Sequence, residues 1–141
     1  MVGYDANGTY GHPDHAQVHH VAHAFAALRA EAWVLEATYS REYLAGLPDA
    51  DGSLDPTFAS AEADLTHYVQ GIEWLEAKVR AIGHHLSQVP DDWDSEAPDI
   101  AGFSSRFGTE WFIATQPRGR SRSDLEQLVD PKASWPGPLQ L

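Results

Sequence analysis

Six residues, Tyr10-Gly11-His12-Pro13-Asp14-His15, constrain this chain more than any other stretch, because they fix where a helix begins and what stands on its first turn. Proline suits that position: its φ is already close to helical, and the N–H it lacks would go unbonded in a first turn anyway. Behind it Val18, Val21, Ala22, Phe25 and Leu28 recur at helical spacing to about Arg29. The same six residues concentrate chemistry. Imidazole is the commonest metal-binding side chain, and a carboxylate beside it can orient the ring by accepting its second N–H. His12 and His15 are three apart, so both can face one pocket from a helix start while Asp14 holds an imidazole from behind. An Asp and a Pro ahead of an amphipathic helix are also ordinary start signals, and a surface His beside them needs no function.

The rest of the chain alternates short strands with helices. Met1 to Asp5 reads as a strand remnant and Ala6 to Gly11 as a glycine-punctuated loop. Ala32 to Tyr39 reads as a buried strand, after which Ser40 caps a short helix through Leu44 that stops at Gly46. Pro48 to Ala63 is dense in turn formers and is expected to be an exposed loop. His67-Tyr68-Val69 reads as a short strand. Ile72, Leu75, Val79, Ile82 and Leu86 then mark a second amphipathic helix ending near His85. Acidic residues and prolines from Val89 to Gly102 suggest a rim or lid, and Glu110 to Thr115 a closing strand. Residues 116–141, with Arg118, Arg120, Arg122 and a Pro-rich end, read as a flexible tail.

Composition excludes several classes. At 141 residues and 43% hydrophobic, the chain is long enough for one domain with a core. It has no Cys, so a metal must sit on His and carboxylate. Nine Lys+Arg against 21 Asp+Glu give a net charge of −12, which repels a phosphate backbone; nucleic acid is not an expected partner. An apolar run long enough for a membrane span and a basic-then-apolar leader are both missing from the sequence, so no membrane partner is expected and cytoplasm is the default.

Over a longer stretch, Tyr4-Asp5-Ala6-Asn7-Gly8-Thr9-Tyr10-Gly11-His12-Pro13-Asp14-His15 resembles the second signature of the LmbE-like (PIG-L) zinc N-deacetylases, which include the mycothiol-pathway deacetylases. Trp74-Leu75-Glu76-Ala77-Lys78 leading to His84-His85-Leu86-Ser87-Gln88 resembles that family's helix with its His-x-Ser-Gln ending. Phe107 to Ile113 is similar to its last short helix and closing strand. The resemblance covers roughly residues 1–115. It implies an α/β, partial Rossmann-like LmbE-type fold: motif helix, short strands, second amphipathic helix and closing strand. It also implies Zn2+ as cofactor, with His15 as zinc ligand, His12 as the acid that protonates the leaving amine, Asp14 as its orienting partner and Tyr10 as oxyanion stabiliser. The implied reaction is removal of an acetyl group from an N-acetylated amino sugar (GlcNAc-type) conjugate.

The family's earlier His-Pro-Asp-Asp block, which supplies a zinc histidine, a zinc aspartate and the general base, has no counterpart here; Pro90-Asp91-Asp92 echoes it without a preceding His. The expectation is therefore a C-terminal portion of a deacetylase, from a truncated gene, a fragmentary sequence or a misplaced start. Such a piece is expected to be inactive alone and to bind zinc weakly at His15. The alternative is a noncatalytic acidic module without a functional metal site. His19 and His23 continue the row from His15, yet one helix face would supply every ligand, so half-buried packing is the expectation for them. His84 and His85 are expected to cap a helix end; in the family context Ser87 and Gln88 could reach substrate. The five tryptophans are expected in core and rim rather than as sugar-stacking platforms, although Trp93, on the acidic loop, could stack on a sugar ring. Oligomeric state, a homo-oligomer included, is left open.

Overall fold

The computed structural model describes residues 1–29, 32–47, 55, 57–89 and 100–115. Two compact units emerge, one built on Met1–Tyr68 with the strand from Glu110, the other on Val69–Thr109.

In the first unit, strand β1 (Val2–Tyr4) leads through a helical turn, α1 (Gly8–Gly11), into helix α2 (Pro13–Ala27), and α2 returns the chain to strand β2 (Val34–Thr38). Strands β1 and β2 are parallel, with Gly3 opposite Glu36 and Tyr4 opposite Ala37. Parallel neighbours need such a crossover. Helix α3 (Arg41–Gly46) follows, its first turn capped by Ser40, whose Oγ accepts from the Tyr43 N–H. Strand β4 (Thr109–Thr115) runs antiparallel to β2, pairing Val34 with Thr115 and Thr38 with Trp111. With β3 (His67–Gln70), the described residues form one mixed sheet in the order β1-β2-β4-β3.

Alternation along β2 aims Val34, Glu36 and Thr38 to one buried face. Gly3, beside Glu36, lets α2 approach on that side: a Cβ at Gly3 would lie 3.1 Å from the Ala22 Cβ. The helix and the carboxylate of Glu36 therefore meet over the β1–β2 pair.

The second unit is small and apolar. Helix α4 (Leu75–Gly83), entered through a 3-10 turn at Ile72–Trp74, buries Leu75 and Val79 against Phe103 of helix α5 (Ile100–Phe107), with Ile82 and Phe107 beside them. The Lys78 ammonium donates to the Phe107 carbonyl, 2.8 Å away.

Several expectations need correction. The Ala6–Gly11 loop contains the turn α1, in which Thr9 takes a positive φ of 68°. The Pro48–Ala63 loop is not uniformly exposed where described: Ala59 is fully buried, and Ser60 bridges to Ser40. The Val89–Gly102 segment turns helical at Ile100. Leu86 lies past the end of α4 and is 82% exposed, because α4 stops at Gly83. Along α2 only Ala22 is buried; Val18, Val21, Phe25 and Leu28 are exposed, so the periodic stripe does not enter the described core. Trp93, Pro90-Asp91-Asp92 and the tail from residue 116 lie outside the described residues.

Candidate metal and catalytic site

The motif turn is organised from beneath by a carboxylate. Asp5, at the end of β1, is 3% exposed; its Oδ1 accepts the Thr9 N–H at 2.7 Å, and its Oδ2 accepts the Thr38 hydroxyl. A buried charge is tolerated only when hydrogen-bonded in this way. The first of these bonds holds Thr9 in its left-handed conformation, which a β-branched residue rarely adopts. Thr9 is thereby fixed against the sheet, and Tyr10 follows directly. On the other side of the turn Gly11 has φ of 87°, and the Phe58 ring sits where its Cβ would be, 2.8 Å from Cζ. Asn7 donates to the Phe58 carbonyl at 3.1 Å, closing the segment around Phe58 onto the turn.

The turn and the start of α2 bring three rings, Tyr10, His12 and His15, to a fourth, Tyr4 at the end of β1. Tyr4 and His15 stack with centroids 3.9 Å apart and planes within 9°. Tyr10 meets His15 edge-on at 5.1 Å, and His12 lies 4.8 Å from His15. The structure thus brings Tyr10, His12 and His15 together. His12 also ends the turn as the N-cap of α2: its Nδ1 accepts from the Asp14 main-chain N–H at 3.2 Å. The observed His12–Asp14 bond therefore runs through the main chain of Asp14, whose side chain is exposed in the first helical turn.

Electrostatics separate the rings. Burial, and secondarily the neighbouring His12, hold the His15 imidazole below its ordinary value of 6.5, keeping it neutral near pH 7. Neutral imidazole is the form that binds a metal. His15 Nδ1 is buried and completes no hydrogen bond among the described residues; the Gly8 main chain nearby favours the protonated ring, but less than burial and His12 disfavour it. An orphaned ring nitrogen on a neutral imidazole suits a metal ligand. Burial, and then Tyr4, push the Tyr10 phenol above 10.0, so it remains a proton donor at neutral pH.

One turn further along α2, His19 Nδ1 lies 2.9 Å and His23 Nε2 2.6 Å from the same oxygen, Oε1 of Glu36. His19, His23 and Glu36 place ligand-type atoms within 4.8 Å of one another, a group able to hold a metal ion. Glu36 was not among the residues the sequence singled out: Ala32 to Tyr39 reads as a buried strand, with no role for its carboxylate. Its alternation with Val34 and Thr38 was the available signal.

Gln88 stands in the second unit, exposed, with its amide donating to Ser87 Oγ at 3.3 Å. His84 caps the C-terminus of α4, through its main-chain N–H. A cavity of about 230 Å³ in the first unit is lined by Ser40, Thr66, His67 and Trp111 among others, and by no motif residue.

Parallel β1 and β2 joined through α2, with the rings gathered at the helix start, define a mixed α/β chain of partial Rossmann-like type. Its relatives sharpen that class. The chain is 33% identical over 153 residues to the 1D-myo-inositol 2-acetamido-2-deoxy-alpha-D-glucopyranoside deacetylase of Nocardioides sp., a match covering 88% of this chain and 50% of that protein. The enzyme of the same name from Salinispora arenicola is 32% identical over 129 residues, covering 79% of this chain and 40% of its own length. That from Acidothermus cellulolyticus is 28% identical over 153 residues, covering 92% and 51%. The chain is thus a relative of these GlcNAc-inositol deacetylases and spans about half of their length. No family model matches it, and no solved structure does. Among the described residues, no helix is long and apolar enough to cross a membrane.

Proposed function

We propose that this chain supplies the Tyr10–His15 half of a zinc-dependent N-deacetylase acting on an N-acetylated amino sugar conjugate of the GlcNAc-inositol kind. The observation that carries the reading is the buried, unpartnered Nδ1 of a neutral His15, set in a ring cluster at the start of α2. Relatedness to enzymes named as deacetylases supplies the reaction class.

His15 would hold the metal, together with ligands that the resemblance assigns to a His-Pro-Asp-Asp block not found among these residues. Zinc bound there supplies Lewis acidity toward the oxygens of an amide hydrolysis. The chain's own groups do the rest. The Tyr10 phenol, held protonated, donates a hydrogen bond to the oxygen that gains charge as the amide carbonyl becomes tetrahedral. His12 serves the leaving nitrogen. While neutral, its Nδ1 accepts from the Asp14 N–H, so its proton sits on Nε2. To act as an acid it must carry both protons, and Nδ1 then ceases to be an acceptor. The cap bond opens, and the Asp14 carboxylate becomes the natural acceptor for the new Nδ1–H. Nε2 then gives its proton to the departing amine and His12 returns to the neutral, cap-forming state.

Acetate release tests the proposal. The chain alone is expected to release none from the GlcNAc-inositol conjugate, since the resemblance assigns the water-activating aspartate to the His-Pro-Asp-Asp block that has no counterpart in this sequence. Mixed with or joined to the upstream half of the Nocardioides relative, it is expected to restore zinc-dependent release. Failure of every such pairing, with both halves folded, contradicts the proposal and favours the noncatalytic module.

A further inference from the structure

We propose that His19, His23 and Glu36 form a second site, for a divalent transition-metal ion such as Zn2+ or Co2+, distinct from the Tyr10–His15 turn. The inference stands whether or not the chain takes part in deacetylation. Two imidazoles at i and i+4 share one helix face, and the third donor comes from a different element, strand β2. Two histidines and a glutamate with a fourth position open to water is an established zinc set. The carboxylate is buried: Glu36 has 10% of its side chain exposed, His19 17% and His23 34%, so the group is nearly enclosed yet open on the His23 side.

The geometry is close to what an ion requires. Tetrahedral ligands at 2.0–2.1 Å stand about 3.3 Å from one another, so the two nitrogen-to-oxygen distances must widen by about 0.4 and 0.7 Å, while the two nitrogens, within 4.8 Å of each other, must draw to that same spacing. The nitrogen-to-oxygen distances are now 2.9 and 2.6 Å, spans in which a proton bridges each pair. Proton positions follow from the contacts. His19 Nδ1 faces two acceptors, Glu36 Oε1 and the Tyr4 carbonyl at 3.1 Å, so in the metal-free protein it carries the hydrogen. His23 Nε2 likewise donates to Oε1. Coordination moves the His19 proton to Nε2 and the His23 proton to Nδ1. Both rings stay neutral and present lone pairs to the ion, and the His19–Tyr4 hydrogen bond is exchanged for a coordinate bond. The single negative charge of Glu36 offsets half of the ion's charge in a buried setting. With the ion bound, α2 is tied to β2 by three coordinate bonds one turn below His15.

The test is titration of the whole chain with Co2+ and with Zn2+, read by the visible absorption of tetrahedral Co2+ and by the thermal midpoint. The expected result is one equivalent bound, with a raised midpoint. His15→Ala is expected to leave this binding unchanged. Glu36→Gln and His23→Gln are each expected to weaken it by tenfold or more and to abolish the midpoint shift. His23 is the most open member, so His23→Gln still decides the question if Glu36→Gln fails to fold. Wild-type affinity in His23→Gln, loss of binding in His15→Ala, or no binding by the unaltered chain overturns the proposal.

Discussion

Helix α2 carries two histidine pairs one turn apart, and they meet opposite surroundings. His12 and His15 stand among aromatic rings, and the buried Nδ1 of His15 has no hydrogen-bond partner among the described residues. His19 and His23 converge on the oxygen of one carboxylate. Residue type and helix are the same, so the difference comes from what other elements bring to each turn. Beneath the first pair, β1 ends in Asp5, whose oxygens are taken by the Thr9 N–H and the Thr38 hydroxyl, so it offers the rings no carboxylate. Beneath the second, Gly3 opens space and β2 supplies Glu36 directly to the rings. An imidazole left without a partner is poised for an outside ligand; one given a carboxylate is a latch until an ion replaces the protons.

Substitutions that strike one pair and spare the other can break this contrast. The largest effect is expected from Asp5→Ala. It orphans the Thr9 N–H and takes one partner from the Thr38 hydroxyl, which keeps Ser60 Oγ, and should cost about 2–4 kcal/mol in denaturant unfolding. Ring resonances of His12 and His15 should move while those of His19 and His23 hold; equal movement of both pairs would show that Asp5 does not act through the turn alone. Gly11→Ala forces a Cβ toward the Phe58 ring at positive φ and should cost about 1–3 kcal/mol by the same measurement. Glu36→Gln keeps the shape of the second pair but weakens its bonds, for about 1–2 kcal/mol, and should leave the His15 resonances in place.

The smallest effect is a pH dependence. The folded protein holds the His15 pKa below 6.5, so the unfolded chain binds the proton more readily. The stability due to neutral His15 is therefore fully present above 6.5 and falls as the pH drops through that value, until the folded-state pKa is reached and the loss stops. His15→Gln should flatten this segment of the stability profile, and an unchanged profile would mean the ring is not held neutral.

Much of this arrangement was legible in the sequence. Pro13 marked the start of α2, and Ser40 stood out as a cap because its hydroxyl chemistry suits an N-terminus and little else. The meeting of His12 and His15 was legible for the same reason, since three residues apart at a helix start they share a face, whereas Tyr10 joins them through the turn that Asp5 holds and was singled out only by resemblance. Glu36 was not, because its meeting with His19 and His23 depends on the register that sets β2 beside β1 and on the close approach at Gly3. The role of Asp5 was hidden likewise. Its hydrogen bond to Thr38 joins residues 33 positions apart, and the bond to Thr9 matters through a positive φ that a threonine does not advertise. Along α2 the period of Val18, Val21 and Phe25 located a helix correctly and the core wrongly, since periodicity says that a face is apolar and not what covers it.

The central claim is that His15 is the metal-facing ring of the motif and His12 the proton-transferring one. It is tested most directly in the protein completed with the upstream half of the Nocardioides relative, by measuring bound zinc and acetate release for His15→Ala and His12→Ala side by side. The account predicts that His15→Ala loses one equivalent of zinc and all activity together, while His12→Ala keeps its zinc and loses about 10²- to 10⁴-fold in kcat, as removal of a general acid does. If His12→Ala loses the zinc and His15→Ala retains it, the two roles are reversed and the account is contradicted.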